Sequence, residues 1–175
     1  MEERLKNIKA FLFDVDGVFT DGGLLADLQG EFYRTFNSKD GFAVRMAVMH
    51  GYHVGIITGG RSESIRKRFL ACGFQYEDIY LNARNKMVDF EDFCSKHGLK
   101  PEEVMYLGDD IPDIPVMVAC GCGAAPSDSV DEVLQIADYV CTREGGKGCV
   151  RECLEMVMKA QNEWHLDVQV YEKKF

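Results

Sequence analysis

The chain has no apolar run near the ~18 residues that cross a bilayer, which excludes a membrane-spanning helix. It shows no secretory signal either. Basic charge is in short supply: 20 Lys and Arg face 29 Asp and Glu, for a net charge of −9. That balance excludes nucleic acid as the main partner, because a phosphate backbone is bound through a basic surface. It leaves room for a small anion held by a few local cations. The seven cysteines (Cys72, Cys94, Cys120, Cys122, Cys141, Cys149 and Cys153) lack the two-pair spacing of a zinc site. Their odd number, and their place in apolar runs, read as reduced thiols of a cytosolic protein. Repeats, low-complexity tracts and interdomain linkers are missing too. One domain over residues 1–175 follows, long enough to bury a full core.

What is present is an alternation of short β-like runs with amphipathic helical stretches. Strands are expected at Ile8–Phe13, His53–Ile57, Asp78–Leu81, Val104–Leu107, Gly121–Ala125 and Tyr139–Cys141. Each is short and apolar throughout, as in strands buried on both faces. Helices are expected at about Asp40–His50, Ser62–Cys72, Asn85–His97, Ile111–Ala119, Ser129–Ile136 and Cys149–Glu163. Gly51, Gly73 and Gly98 mark helix ends, and Ser127 or Asp128 is expected to cap the helix from Ser129. The pattern predicts an α/β fold, a Rossmann-like doubly wound parallel sheet with helices on both faces. Residues 22–36 interrupt it. Leu24-Leu25-Ala26 and Phe32 to Phe36 flank Asp27-Leu28-Gln29-Gly30, which reads as a projecting β-hairpin. A glycine-rich segment, Gly145-Gly146-Lys147-Gly148, opens the carboxyl-terminal stretch of about 145–175. It reads as a turn or hinge, or as the start of a tail that closes over a site.

The chemistry gathers where strands end. Asp14 and Asp16, in Asp14-Val15-Asp16-Gly17, follow the first apolar run, and a glycine lets the chain turn there. A cation offsets their repulsion, and so few carboxylates suit Mg²⁺. One carboxylate can then attack phosphorus while the other serves as acid and base. Thr58-Gly59-Gly60-Arg61-Ser62 follows the second strand. Its hydroxyl and the N–H groups from Gly59 onward can cradle a phosphate, and Arg61 can bind an acidic group. Lys86 follows the third strand and can neutralise a phosphoryl group. Gly108-Asp109-Asp110-Ile111-Pro112-Asp113 follows the fourth. Asp109 stands closest to the strand end and is the expected metal ligand, with Asp113 supporting Lys86 or the metal shell. Asp110 and Asp113 also suit a helix amino terminus.

The order of these four sets resembles the haloacid dehalogenase superfamily of phosphohydrolases, whose motifs are DxDG, a Ser/Thr, a Lys and an acidic GDD-type cluster. The resemblance implies Asp14 as nucleophile and Asp16 as general acid/base. It implies Mg²⁺ held by Asp14, the main-chain carbonyl of Asp16, and Asp109, with Thr58 and Lys86 on the phosphoryl group. A narrower resemblance spans nearly the whole chain. Asp14 to Gly22, Asp40-Gly41, Ile57 to Ser62, Gly108 to Asp113 and Gly145 to Gly148 are similar to the 3-deoxy-D-manno-octulosonate 8-phosphate phosphatases. At Asn82-Ala83-Arg84-Asn85 the chain departs from that subfamily, many of whose members carry a glycine and an acidic residue before the lysine.

That subfamily lacks a cap domain and forms tetramers. Its implied substrate is a small acidic sugar phosphate used in lipopolysaccharide precursor synthesis. Relatives that act on nine-carbon keto-sugar phosphates are the alternative. Outside enzymes, a phospho-receiver would need an aspartate after the third strand, where Tyr80-Leu81-Asn82 stands. An inactive oligomerisation domain would not need every functional group. The intervals from Asp16 to Thr58 and from Thr58 to Lys86 leave no room for a cap. A homo-oligomer with shared active sites is therefore expected, walled by the hairpin and the carboxyl-terminal tail of a neighbour, and the resemblance implies a homotetramer.

Overall fold

The computed structural model describes residues 2–175. Helix α1 (Glu2–Asn7) leads into β1 (Ala10–Phe13) and then the hairpin β2 (Leu25–Ala26) and β3 (Phe32–Tyr33). There follow α2 (Ser38–Met49), β4 (His53–Ile57), α3 (Glu63–Leu70), β5 (Ile79–Tyr80) and α4 (Lys86–His97). The chain continues through β6 (Val104–Leu107), α5 (Ile114–Ala119), β7 (Cys122–Ala125), α6 (Asp131–Ile136) and β8 (Tyr139–Val140). It closes with α7 (Cys149–Ala160) and α8 (Val168–Lys174).

Six strands form one parallel sheet in the order β5-β4-β1-β6-β7-β8. The chain steps outward from β1 through β4 to β5, then crosses to β6 on the other side of β1. Right-handed crossovers force the helices of the two directions onto opposite faces. Phe11, Phe13, Met105 and Leu107 accordingly pack with residues of α1, α2, α3 and α7. Ala10, Leu12, Val104 and Tyr106 pack with α4, α5 and α6. The reversal of strand order lies between β1 and β6, and the crevice beyond their carboxyl ends is where such sheets bind ligands.

The expected strands at His53–Ile57 and Val104–Leu107 form with those bounds. Asp78–Leu81 contracts to β5, because Tyr76–Asp78 coil into a 3₁₀ turn. Asn37, Ser62 and Asn85 side chains cap α2, α3 and α4, and Gly51, Gly73 and Gly98 take left-handed backbone after them. The cap expected at Ser127 or Asp128 does not form. Val130 precedes α6 without a side-chain cap, and the Asp128 carboxylate instead accepts the Gly145 N–H at 2.9 Å.

The hairpin is present, its turn held by the Asp27 carboxylate, which accepts the N–H groups of Gln29 and Glu31. Leu25 is 71% exposed and Leu28 100%. The carboxyl-terminal stretch differs from a mobile arm. Helix α7 places Cys149, Val150, Cys153, Leu154, Val157 and Met158 in the core. Helix α8 had no sequence signal, since no residue of it is buried, yet it folds back on α2 of its own chain. Arg45 donates to the Tyr171 hydroxyl at 3.0 Å, Lys174 to the Val48 carbonyl at 2.7 Å, and Tyr171 lies against Phe42.

Candidate active site

Asp14 follows β1 and Asp109 follows β6, so the two adjacent strands across the reversal deliver both carboxylates to one crevice. Thr58 after β4 and Lys86 at the start of α4 complete a cavity of about 430 Å³, also lined by Asp16, Gly59, Arg84, Asp110 and Asp113. The turn after β1 is built by backbone. The N–H groups of Val18, Phe19 and Thr20 point to the Val15 carbonyl, and the Thr20 hydroxyl accepts from Gly22. Gly17 has φ +84°, and a Cβ there would lie 1.9 Å from an Asp109 carboxylate oxygen. Only glycine fits both constraints. Gly145 and Gly146 press against the same turn from behind, with the Gly146 N–H on the Val18 carbonyl at 2.9 Å. The glycine-rich segment is thus a close-packing device beneath the turn that carries Asp16.

Lys86 is buried and reaches two carboxylates, Asp14 at 3.0 Å and Asp113 at 2.6 Å. Asp113 is saturated. Its Oδ1 accepts from Lys86 and from the Tyr106 hydroxyl at 2.6 Å, and its Oδ2 from the N–H groups of Asp109 and Asp110. It positions the lysine and the Asp109 turn. Asp14 and Asp109 are the carboxylates with capacity left, and Asp109 Oδ1 is buried without a hydrogen-bond partner.

Burial pushes the Asp14 carboxyl up to about 6 against the pull of Lys86, and Asp113 adds to the rise. Burial pushes Asp109 up to about 8, reinforced by Asp14 and Asp113. Burial opposes the Lys86 charge as well, but the two carboxylates outweigh it and raise its pKa. Three carboxylates meet one ammonium here, and the surplus negative charge calls for a further cation. Oxygen atoms of Asp14, Asp109 and Asp113 lie within 4.8 Å of one another. A hard divalent ion such as Mg²⁺ fits this donor set, with Asp14 and Asp109 free to ligate.

The Asp16 carboxylate is not part of that cluster. Arg34, from the end of the hairpin, clamps it with Nε on Oδ1 at 2.6 Å and Nη2 on Oδ2 at 2.9 Å. A metal contact from residue 16 would therefore come from its main chain. Arg34 was not anticipated from the sequence. Its signal was a lone charge inside the aromatic stretch Phe32-Tyr33-Arg34-Thr35-Phe36, and its side chain is only 4% exposed. Tyr106 was missed as well, although a buried strand tyrosine needs a partner for its hydroxyl.

Thr58 is buried, and its hydroxyl accepts the Gly60 N–H at 3.1 Å. The loop before Lys86 is stitched to the Thr58 loop, with Asn82 N–H on Gly60 O and Ala83 N–H on Thr58 O. Asn82 takes φ +57°, a left-handed position that asparagine tolerates after glycine. Arg61 lines a second opening with Asp16, Glu31, Arg34, Ser62 and Arg84, continuous with the first through Gly59 and Gly60. The hydroxyl of Ser62 donates to Glu31, tying the hairpin to the Thr58 loop. Three arginines, Arg34, Arg61 and Arg84, thus border the space beside the Thr58 loop.

A family profile for haloacid dehalogenase-like hydrolases matches residues 52–151. The chain is 35% identical over 158 residues to the 3-deoxy-D-manno-octulosonate 8-phosphate phosphatase of Escherichia coli K12, covering 90% of this chain and 83% of that protein. The crystal structure of the phosphatase of the same name from Yersinia pestis superposes with a TM-score of 0.89 at 34% identity, over 93% of this chain and 86% of that one. The Moraxella catarrhalis phosphatase, in complex with a magnesium ion, a phosphate ion and KDO, gives 0.89 at 29% identity, over 93% of this chain and 92% of that one.

Proposed function

Because this chain belongs to the haloacid dehalogenase-like hydrolase family, we propose that it is a Mg²⁺-dependent phosphomonoesterase that works through an aspartyl-phosphate at Asp14. Its proposed substrate is 3-deoxy-D-manno-octulosonate 8-phosphate, and its proposed pathway is lipopolysaccharide precursor synthesis. The observation that carries the reading is the pairing of an unpartnered buried Asp109 oxygen with Asp14 and Lys86, beside a space bordered by Arg34, Arg61 and Arg84. Asp14 attacks phosphorus as the bond to the sugar oxygen breaks. Asp16 gives its proton to that oxygen, then takes one from the water that attacks the aspartyl-phosphate. Proton delivery from Asp16 requires its clamp with Arg34 to open. Thr58 and Lys86 hold the phosphoryl oxygens, and Arg61 meets the sugar carboxylate. Bound Mg²⁺, held by Asp14, Asp109 and the residue-16 carbonyl, would supply charge neutralisation at the phosphoryl group.

The test is hydrolysis of the eight-carbon phosphate against a nine-carbon keto-sugar 9-phosphate and a generic aryl phosphate. The eight-carbon substrate should lead in kcat/KM by about 10-fold or more, and chelator should abolish turnover until Mg²⁺ returns. A lead for the nine-carbon sugar would move the assignment to that relative; full turnover in chelator would remove the metal from it.

The active unit is proposed to be a homotetramer. Leu24, Leu25, Leu28, Phe32 and Tyr33 leave an exposed apolar surface on the hairpin, which a second subunit would cover. Sedimentation at the assay concentration should show a tetramer, and Leu25→Asp should shift it toward smaller species. A fully active monomer would overturn the shared-site arrangement. The cysteines, all unbridged among the described residues, suit the reducing cytosol.

A further inference from the structure

The four histidines of the chain lie away from the catalytic end. His50, His53 and His97 line a cavity of about 360 Å³ with Lys9, Tyr52, Gln161 and Glu163, at the edge where β1 and β4 begin. His165 stacks edge-on against His50 with ring centroids 4.6 Å apart.

His50 is the informative residue. Its Nε2 lies 2.8 Å from the main-chain carbonyl of His165, and its Nδ1 lies 2.7 Å from a Glu163 carboxylate oxygen. Both neighbours are acceptors. A neutral imidazole donates from one nitrogen only, so the second acceptor is satisfied either by a proton on that nitrogen, giving an imidazolium–carboxylate pair, or by a metal ion shared between the two groups. A carbonyl on the far nitrogen is the arrangement that orients a metal-binding histidine, leaving the near nitrogen free to ligate. A third donor is present, since atoms of His50, Glu163 and His165 lie within 4.8 Å of one another.

We propose that His50, Glu163 and His165 form a second divalent-metal site, selective for Zn²⁺ over Mg²⁺. Two imidazoles and one carboxylate are zinc's ligands, whereas Mg²⁺ prefers oxygen throughout. The His50 and Glu163 ligand atoms, 2.7 Å apart at hydrogen-bond distance, would open to about 3.3 Å to share a tetrahedral ion. The exposed His165 ring closes the remaining gap by a change of rotamer, and water completes the tetrahedron. The site would clip the segment after α7 to the end of α2, on the side of the sheet opposite the catalytic crevice.

The sole tryptophan, Trp164, sits between two of the ligands and reports on them. Full-length protein is stripped of metal, saturated with Mg²⁺ and titrated with Zn²⁺. One equivalent per chain should change Trp164 emission and raise Tm by about 5–10 °C at 100 times the Kd. X-ray absorption at the zinc edge should show two imidazoles. His165→Ala, an exposed change that leaves the fold intact, should weaken the response at least ~10-fold and leave kcat in Mg²⁺ unchanged. Asp109→Ala should keep the zinc response, which separates this site from the catalytic one. Absence of the response in wild-type protein, an all-oxygen coordination shell, or a response undiminished in His165→Ala would overturn the proposal and leave a simple His50–Glu163 ion pair.

Discussion

Asp14→Asn should lower turnover by about 10⁴-fold or more while the protein stays folded. The amide fills the same volume but carries no charge with which to attack phosphorus. Folding should tolerate the change. Lys86 keeps Asp113 as a partner at 2.6 Å, and burial already works against an ionised Asp14, as its pKa of about 6 records. The folded state therefore pays nothing for losing that charge, and Tm should hold or rise at neutral pH in metal-free buffer. Steady-state phosphate release measures the first effect and thermal denaturation the second. The wild-type protein, quenched in acid during turnover, should carry a phosphoryl adduct that the variant lacks. Near-normal turnover by a folded Asp14→Asn protein would rule out the covalent route.

Asp113→Ala should fail in the opposite order, through stability first. Asp113 is wholly buried and holds Lys86, the Tyr106 hydroxyl and two N–H groups of the Asp109 turn. Its removal strands these donors and leaves the lysine with Asp14 alone. Losing one partner of a buried ion pair costs about 3–5 kcal/mol. In a chain of this size that is a fall in Tm of roughly 6–20 °C. Activity at temperatures where the variant is folded should fall too, because the lysine and the Asp109 carboxylate lose their anchor. Asp113→Asn fits the volume and keeps an acceptor, so it should be milder in both measures. A variant that kept its Tm while losing activity would instead mean that Asp113 acts directly in the chemistry.

Asp14, Thr58, Lys86 and Asp109 were legible because each stands where an apolar run stops, and in a parallel sheet those stops share one edge. The sheet itself was legible for the same reason, since strands buried on both faces read as uninterrupted apolar segments. Arg34 was not, because its role depends on how a hairpin folds back over Asp16, a contact between residues 18 apart in sequence. Asp113 was expected to support either Lys86 or the metal shell, and its four-fold saturation required Tyr106, whose hydroxyl the sequence does not aim. Helix α8 was missed because none of its residues is fully buried, and the glycine-rich segment was read as a turn, a hinge or the start of a closing tail because glycine looks the same whether it frees the backbone or lets another backbone approach. The space beneath Gly17 and Thr20 decides for the second use.

β1 occupies the centre of the sheet and pairs with β4 on one side and β6 on the other. Thr58, Lys86 and Asp109 therefore reach Asp14 only after segments far apart in sequence have assembled around that strand, β4 and β6 on β1 itself and β5 on β4. A partly assembled molecule has no partial catalyst in it: the groups are together or they are scattered. Damage to the core should then subtract whole working molecules from a sample and leave the survivors unchanged. A core variant such as Leu12→Ala should lower the titratable number of active centres, with KM and the rate per centre preserved, whereas a change at Arg61 should alter KM with every centre still countable. Counting centres by acid-trapped phosphoryl adduct thus sorts substitutions in this protein into those that thin the population and those that change the catalyst.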